Sequence, residues 1–131
     1  MKKILVIGCV ILISAACDQT SNSKAQQDNL MLQGQCATQA KQFFDNHKWS
    51  PIIDYNYQNH YSGNLGKCYV LVSGLGASGS SDQLWDAYKN KNIAECESYS
   101  VSDMNFCGYG ISSEKYDLNK FRAFVKQYME N

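Results

Sequence analysis

Three things are scarce in this chain of 131 residues: net charge, histidine and long apolar runs. Lys and Arg number 12 and Asp and Glu number 12. Lys2 and Lys3 stand in the first segment, so the remainder of the chain is slightly acidic. That balance excludes a polybasic nucleic-acid binder and a strongly cationic membrane-surface protein. The longest uncharged, mostly apolar run is Ile4 to Ala16. As a helix it reaches roughly 20 Å, short of a hydrocarbon core about 30 Å thick. Only His47 and His60 could move protons near neutral pH with an unperturbed side chain. No Cys-x-x-Cys redox spacing, no Cys/His cluster of zinc type and no useful internal repeat occurs, so no metal and no cofactor is expected. Aromatic residues are plentiful, with 2 Trp, 9 Tyr and 5 Phe, which excludes a wholly disordered chain.

The positive start at Lys2-Lys3 followed by the short apolar run reads as a secretory signal peptide over residues 1–16. Ser14-Ala15-Ala16-Cys17 resembles the lipobox of bacterial lipoproteins, with Ser14 where Leu is usual. The resemblance implies that Cys17 carries diacylglycerol, becomes the first mature residue and anchors the chain to a membrane, facing the periplasm or the exterior. Cysteine arithmetic agrees. Cys17, Cys36, Cys68, Cys96 and Cys107 lie outside the signal, an odd number that acylation of Cys17 turns into four. Asp18 resembles an inner-membrane retention signal.

Residues 17–29 hold no large apolar side chain and are expected to be a flexible tether, leaving 30–131 as one globular domain. Leu32, Cys36, Ala40 and Phe43 recur at helical spacing between Leu30 and Phe44, with Asp28 or Asn29 as the cap and an end near Asn46. The period then falls to two. Ile53, Tyr55, Tyr57 and Tyr61 alternate with polar residues, predicting a half-buried strand. Cys68 to Val72 returns as a more buried strand, and together they predict a hairpin. Gly74 to Ser81 reads as a small-residue loop, and Leu84–Tyr88 with Ile93–Tyr99 as a second hairpin, with a short helix from Ser81 or Asp82 competing for its first arm. Residues 100–113 look irregular. Leu118, Phe121, Val125 and Tyr128 mark a terminal helix capped by Asp117. The expected class is α+β: an antiparallel sheet of two hairpins with an N-terminal and a C-terminal helix covering one face, stapled by disulfides.

Four cysteines allow three pairings. Cys36–Cys68 would tie the first helix to the central hairpin, and Cys96–Cys107 would tie a strand to the loop beyond it. Chain entropy values these loops at about 3.7 and 2.8 kcal/mol. Gly74-x-Gly76-x-x-Gly79 matches the dinucleotide fingerprint in spacing, but that site needs a strand–helix crossover, whereas hairpins are predicted here. Glu95 and Glu97 share a strand face and read as solvated edge charges. The sheet aromatics Tyr55, Tyr57, Tyr61, Tyr69, Trp85 and Tyr88 are expected to pack under the helices.

Tyr57-x-x-His60-Tyr61, Lys67-Cys68-Tyr69-Val70-Leu71-Val72, Leu84-Trp85-Asp86-Ala87-Tyr88 and Tyr128-Met129 are similar to segments of a group of small bacterial exported proteins without an established activity. The resemblance spans Cys36 to Met129 and implies core and disulfide positions, with no catalytic residue. Three functions are expected. The first is a binding module for an envelope protein or wall ligand, with Tyr57, His60 and Tyr61 as candidate face. The second is an envelope hydrolase using His60 with Asp54 or Asp86. The third is a purely structural lipoprotein.

Overall fold

The computed structural model of the chain describes residues 19–99, 104–109 and 117–130, and within them side chains from residue 24 onward except those of 104 and 105. The expected signal peptide, Cys17 and Asp18 lie outside the described residues. The order is α1 (Gln19–Asn46), β1 (Asp54–Ser62), β2 (Lys67–Gly76), β3 (Gly79–Asp86), β4 (Lys91–Tyr99), β5 (Met104–Tyr109) and α2 (Leu118–Met129). The strands form one antiparallel meander in chain order. The class is α+β, as the periodicity predicts.

The helix α1 runs 28 residues, about 42 Å, and starts well before Leu30. The segment expected as a tether is helical from Gln19, and Asp28 and Asn29 lie inside the helix rather than capping it. Lack of apolar residues suggests flexibility, but Gln, Lys and Ala are good helix formers and continue the helix without a core beneath it. Residues 24–31 are all exposed. Contact with the sheet begins at Leu32 and Gln33, and Cys36, Ala40 and Phe43 are buried at successive turns. At its other end the Trp49 indole N–H donates to the Phe44 carbonyl at 2.8 Å, satisfying a terminal acceptor beside the expected end at Asn46.

In place of the two expected hairpins, five strands form four consecutive antiparallel pairs. The Gly74–Ser81 stretch is the tip of β2 and the start of β3, joined by a tight turn at Ala77-Ser78, and the competing helix at Ser81 is a strand. Its glycines have a packing reason. A Cβ on Gly74 would stand 2.5 Å from Tyr55 Cε1 and 2.8 Å from Ile53 Cγ2, because both side chains lie across the strand. Gly79 has φ 152°, and a side chain there would collide with the Ser98 carbonyl. Residues 104–109, expected to be irregular, form β5, with Cys96 directly opposite Cys107.

Alternation along β2 assigns the two faces. Val70 and Val72 face α1 together with Cys68, Ala87, Tyr55, Tyr57, Tyr61 and Trp85. Tyr69 and Leu71 face α2 together with Leu84, Ala94, Cys96, Cys107, Phe121 and Val125. The helices therefore cover opposite faces, which corrects the expectation of a single covered face. The run Cys68-Tyr69-Val70 is fully buried because it has a core on either side. Each core holds one disulfide, Cys36–Cys68 under α1 and Cys96–Cys107 under α2. Both expected pairings are present.

The α1 helix is also fastened by glutamines. Gln33 donates from Nε2 to the Tyr61 carbonyl at 3.0 Å and accepts from the Tyr61 N–H at 3.2 Å, so one side-chain amide pairs with the free edge of β1 as a neighbouring strand would. Gln39 donates to the Ala87 carbonyl at 3.3 Å. The α2 helix begins as predicted, with the Asp117 carboxylate accepting from the Asn119 N–H at 2.8 Å.

Candidate functional site

The register separates the residues expected to form one binding face. Tyr57 and Tyr61 point to the α1 side and are half-buried in its core, with Tyr57 4.7 Å from Phe44 between ring centroids. His60 alternates with them and lies on the α2 side, opposite Tyr69. One strand cannot present neighbouring positions on one face, since successive side chains point to opposite sides.

His60, Tyr69 and Asp86 form a row across β1, β2 and β3. Two strand spacings, about 9.6 Å, separate His60 from Asp86 at backbone level, with Tyr69 between. Asp54 lies six positions along β1, about 20 Å from His60. The hydrolase expectation needs His60 beside one of these acids, and the register sets Asp86 two strands away across Tyr69 and Asp54 six positions along β1. His47 stacks on Trp49 with centroids 4.0 Å apart and touches Phe43 and Trp85, as part of the aromatic wall under α1. Glu95 and Glu97 are exposed on β4, but β5 lies outside that strand, so they are not edge charges. The Tyr99 hydroxyl donates to Glu97 at 2.6 Å, and that bond holds the Tyr99 proton above its ordinary range. Of the six aromatics expected to pack under the helices, Tyr88 is the one that stays well exposed, in the β3–β4 turn.

Two ends of the sheet carry distinct chemistry. In a meander, alternate turns share an end. The β2–β3 turn, the starts of β1, β3 and β5 and the end of β4 form one end. It exposes Ile52, Leu75, Tyr99 and Phe106 at 84, 69, 40 and 39% of their surface. The pleat divides these residues: Tyr99, Phe106 and Glu97 lie on the α1 side, and Leu75, Asp54 and Asp82 on the α2 side, where Asp82 accepts from the Ser73 hydroxyl at 2.6 Å. A shallow cavity of about 110 Å³ opens there over Gly74, Gly76 and Gly79, walled by Ile53, Glu97 and Tyr99. Ser81 Oγ lines it, buried and without a hydrogen-bond partner among the described residues.

The opposite end holds the β1–β2 and β3–β4 turns. A cavity of about 250 Å³ lies there between the α2 C-terminus and the strands, lined by Lys67, Lys89 and Lys91 with Tyr69, Asp86 and Tyr128. Asp86 is 4% exposed and accepts the Lys89 N–H at 3.1 Å, closing the turn. Tyr69 is 1% exposed, and its ring meets Tyr128 edge-on at 5.0 Å. Burial pushes the Tyr69 hydroxyl pKa up, with Tyr128 and Asp86 adding to the shift. Sequence reasoning misses this lysine group. A signal for it exists, because Lys67 opens β2, Lys89 lies in the β3–β4 turn and Lys91 opens β4, all at the same end.

Among the described residues no three His, Cys, Asp or Glu side chains come together as a metal site, and no helix is long and apolar enough to cross a membrane. The Gly74–Gly79 motif is a strand–turn–strand with no helix N-terminus behind it, the element a pyrophosphate needs. No protein-family model matches the chain, and no curated protein or solved structure matches it.

Proposed function

We propose that the chain is a lipid-anchored cell-envelope protein, held at the membrane through Cys17, whose domain works by binding an envelope protein. The lipobox resemblance at Ser14 to Cys17 and the odd cysteine left over from two disulfides support the anchor. Asp18 points to the inner membrane. The observation that carries the binding reading is the exposed pair Tyr99 and Phe106, 5.8 Å apart between ring centroids on one face of the sheet, beside Glu97 and the shallow cavity over Gly74 and Gly79. Large apolar side chains grouped at a surface and bordered by charge are the composition of a protein-binding patch. The Glu97 carboxylate beside it favours a partner with a basic border.

The test is quantitative affinity capture from envelope membranes with the full chain, beside a Tyr99→Ser/Phe106→Ser variant. Both side chains are exposed, so the variant keeps its fold. A stoichiometric partner held by the parent and lost by the variant is expected. A partner held equally by both refutes the patch, and no enriched partner refutes the binding reading. The mass of the N-terminal peptide after export reports whether Cys17 carries diacylglycerol.

A further inference from the structure

We infer that the lysine-bearing end of the sheet docks on an anionic lipid surface, so that the domain stands on the membrane with its apolar, acid-rimmed end directed away. Proximity to the membrane rests on the lipid-anchored reading; the polarity of the domain does not.

Three observations converge on this end. First, Lys67, Lys89 and Lys91 gather around one cavity. The acids on the elements packed there are Asp86, which is 4% exposed and engaged with the turn backbone, and Glu130, paired with Lys126 at 3.3 Å, while the projecting part of α1 adds one charge of each sign, Lys24 and Asp28. The outward charge is therefore positive although the whole chain is balanced. Second, the two turns at this end expose Leu65 and Tyr88 at 53 and 46%. An apolar and an aromatic tip between lysines suits the headgroup boundary, where the ring enters and ammonium groups meet phosphates. Third, α1 leaves the sheet at this same end. Gln33 is hydrogen-bonded to Tyr61, next to the β1–β2 turn, and the helix continues fourteen residues back to Gln19, roughly 21 Å. Cys17 lies two residues further. A lipid on Cys17 thus keeps the lysine end within a helix length of the bilayer, where a weak patch suffices because docking is intramolecular. Leu30 and Met31, exposed at 68 and 57% on the projecting part of α1, give that helix an apolar stretch to lay against the surface as it tilts.

The experiment uses the full chain exported by cells and reconstituted in vesicles of mixed anionic and neutral phospholipid. A photo-crosslinking residue is placed at Leu65 or Tyr88, or at Ile52 or Leu75 on the opposite end. Lipid adducts are expected at Leu65 and Tyr88 at least tenfold above those at Ile52 and Leu75. They should fall with Lys67→Gln/Lys89→Gln/Lys91→Gln, and in wholly neutral vesicles. The control Lys41→Gln/Lys48→Gln/Lys120→Gln removes equal charge elsewhere and leaves the adducts unchanged. Equal adducts at both ends, or adducts indifferent to the three lysines, overturn the docking.

The N-terminal peptide mass separates this from failure of the anchor. If Cys17 proves unmodified, the lipid-anchored reading falls and docking is judged by vesicle co-sedimentation of the same chain. There the three lysines together should be worth about 100-fold in binding to anionic vesicles. Equal sedimentation of parent and triple variant overturns the docking as well.

Discussion

Alanine at Gly74 should destabilise this protein, although at most strand positions it would do the opposite. Glycine inside a strand costs about 0.5–1 kcal/mol relative to alanine through backbone entropy. At Gly74 the added methyl meets Tyr55 Cε1 at 2.5 Å, Tyr55 Cδ1 at 2.7 Å and Ile53 Cγ2 at 2.8 Å. The tyrosine ring has little freedom to retreat, since it lies 5.0 Å from Trp49 in the same aromatic wall. Overpacking a filled site costs about 1–3 kcal/mol. Three contacts under 3.0 Å put the steric term in the upper part of that range, so after the entropic gain a net loss of about 1–2.5 kcal/mol remains. For a domain of this size each kcal/mol lowers Tm by about 4–8 °C. Gly34 is the internal comparison: it sits on an exposed helix surface, and its Cβ would meet nothing within 4 Å. Gly34→Ala should therefore stabilise by up to about 1 kcal/mol. Urea unfolding of the oxidised protein, followed by fluorescence of Trp49 and Trp85, measures both. Tyr55→Ala added to Gly74→Ala should recover part of the alanine penalty, visible as a coupling in the double-mutant cycle. A Gly74→Ala protein as stable as the parent would refute the packing account of this glycine motif.

Removing the Cys36–Cys68 disulfide by double alanine substitution should cost about 3.7 kcal/mol and removing Cys96–Cys107 about 2.8, because the first closes the longer loop; a reversed order in denaturant midpoints would contradict this. Tyr69 has a hydroxyl pKa raised by burial, so the native state keeps that proton longer than the unfolded chain. Its contribution is whole below the ordinary value of 10.0 and is lost as pH climbs through the raised native value. Tyr69→Phe should therefore lessen the stability loss above pH 10, and an unchanged alkaline slope would assign that loss elsewhere. Amide hydrogens over residues 24–30, helical but exposed, should exchange far faster than those of β2 in the detergent-solubilised chain, and equal protection would mean that something covers this helix.

Much of the architecture is legible in the sequence because it is local. The terminal helix with its Asp117 cap, the alternation through β1 and the end of α1 near Asn46 come from periods and capping chemistry that neighbouring residues set. The elements that sequence misreads depend on distant partners. Gly74 to Ser81 looks like a loop by composition, yet Gly74 and Gly79 admit a side chain and a carbonyl from other strands. Residues 104–109 show little alternation and become a strand by pairing with β4. That same pairing takes Glu95 and Glu97 from a sheet edge to its interior.

The candidate sites divide in the same way. Lys67, Lys89 and Lys91 are visible in the chain, but only the meander brings them to one cavity, and only the course of α1 shows that its first half projects from that end. Tyr57, His60 and Tyr61 are neighbours in sequence and are parted by the pleat. Sequence alone determined the periodicities, the helix stops and the cysteine set, since these rest on spacing within a few residues. Tertiary structure decided that the helices take opposite faces. The uninterrupted run from Cys68 to Val72 offers apolar side chains on both sides of one strand, and burying both requires a helix on each.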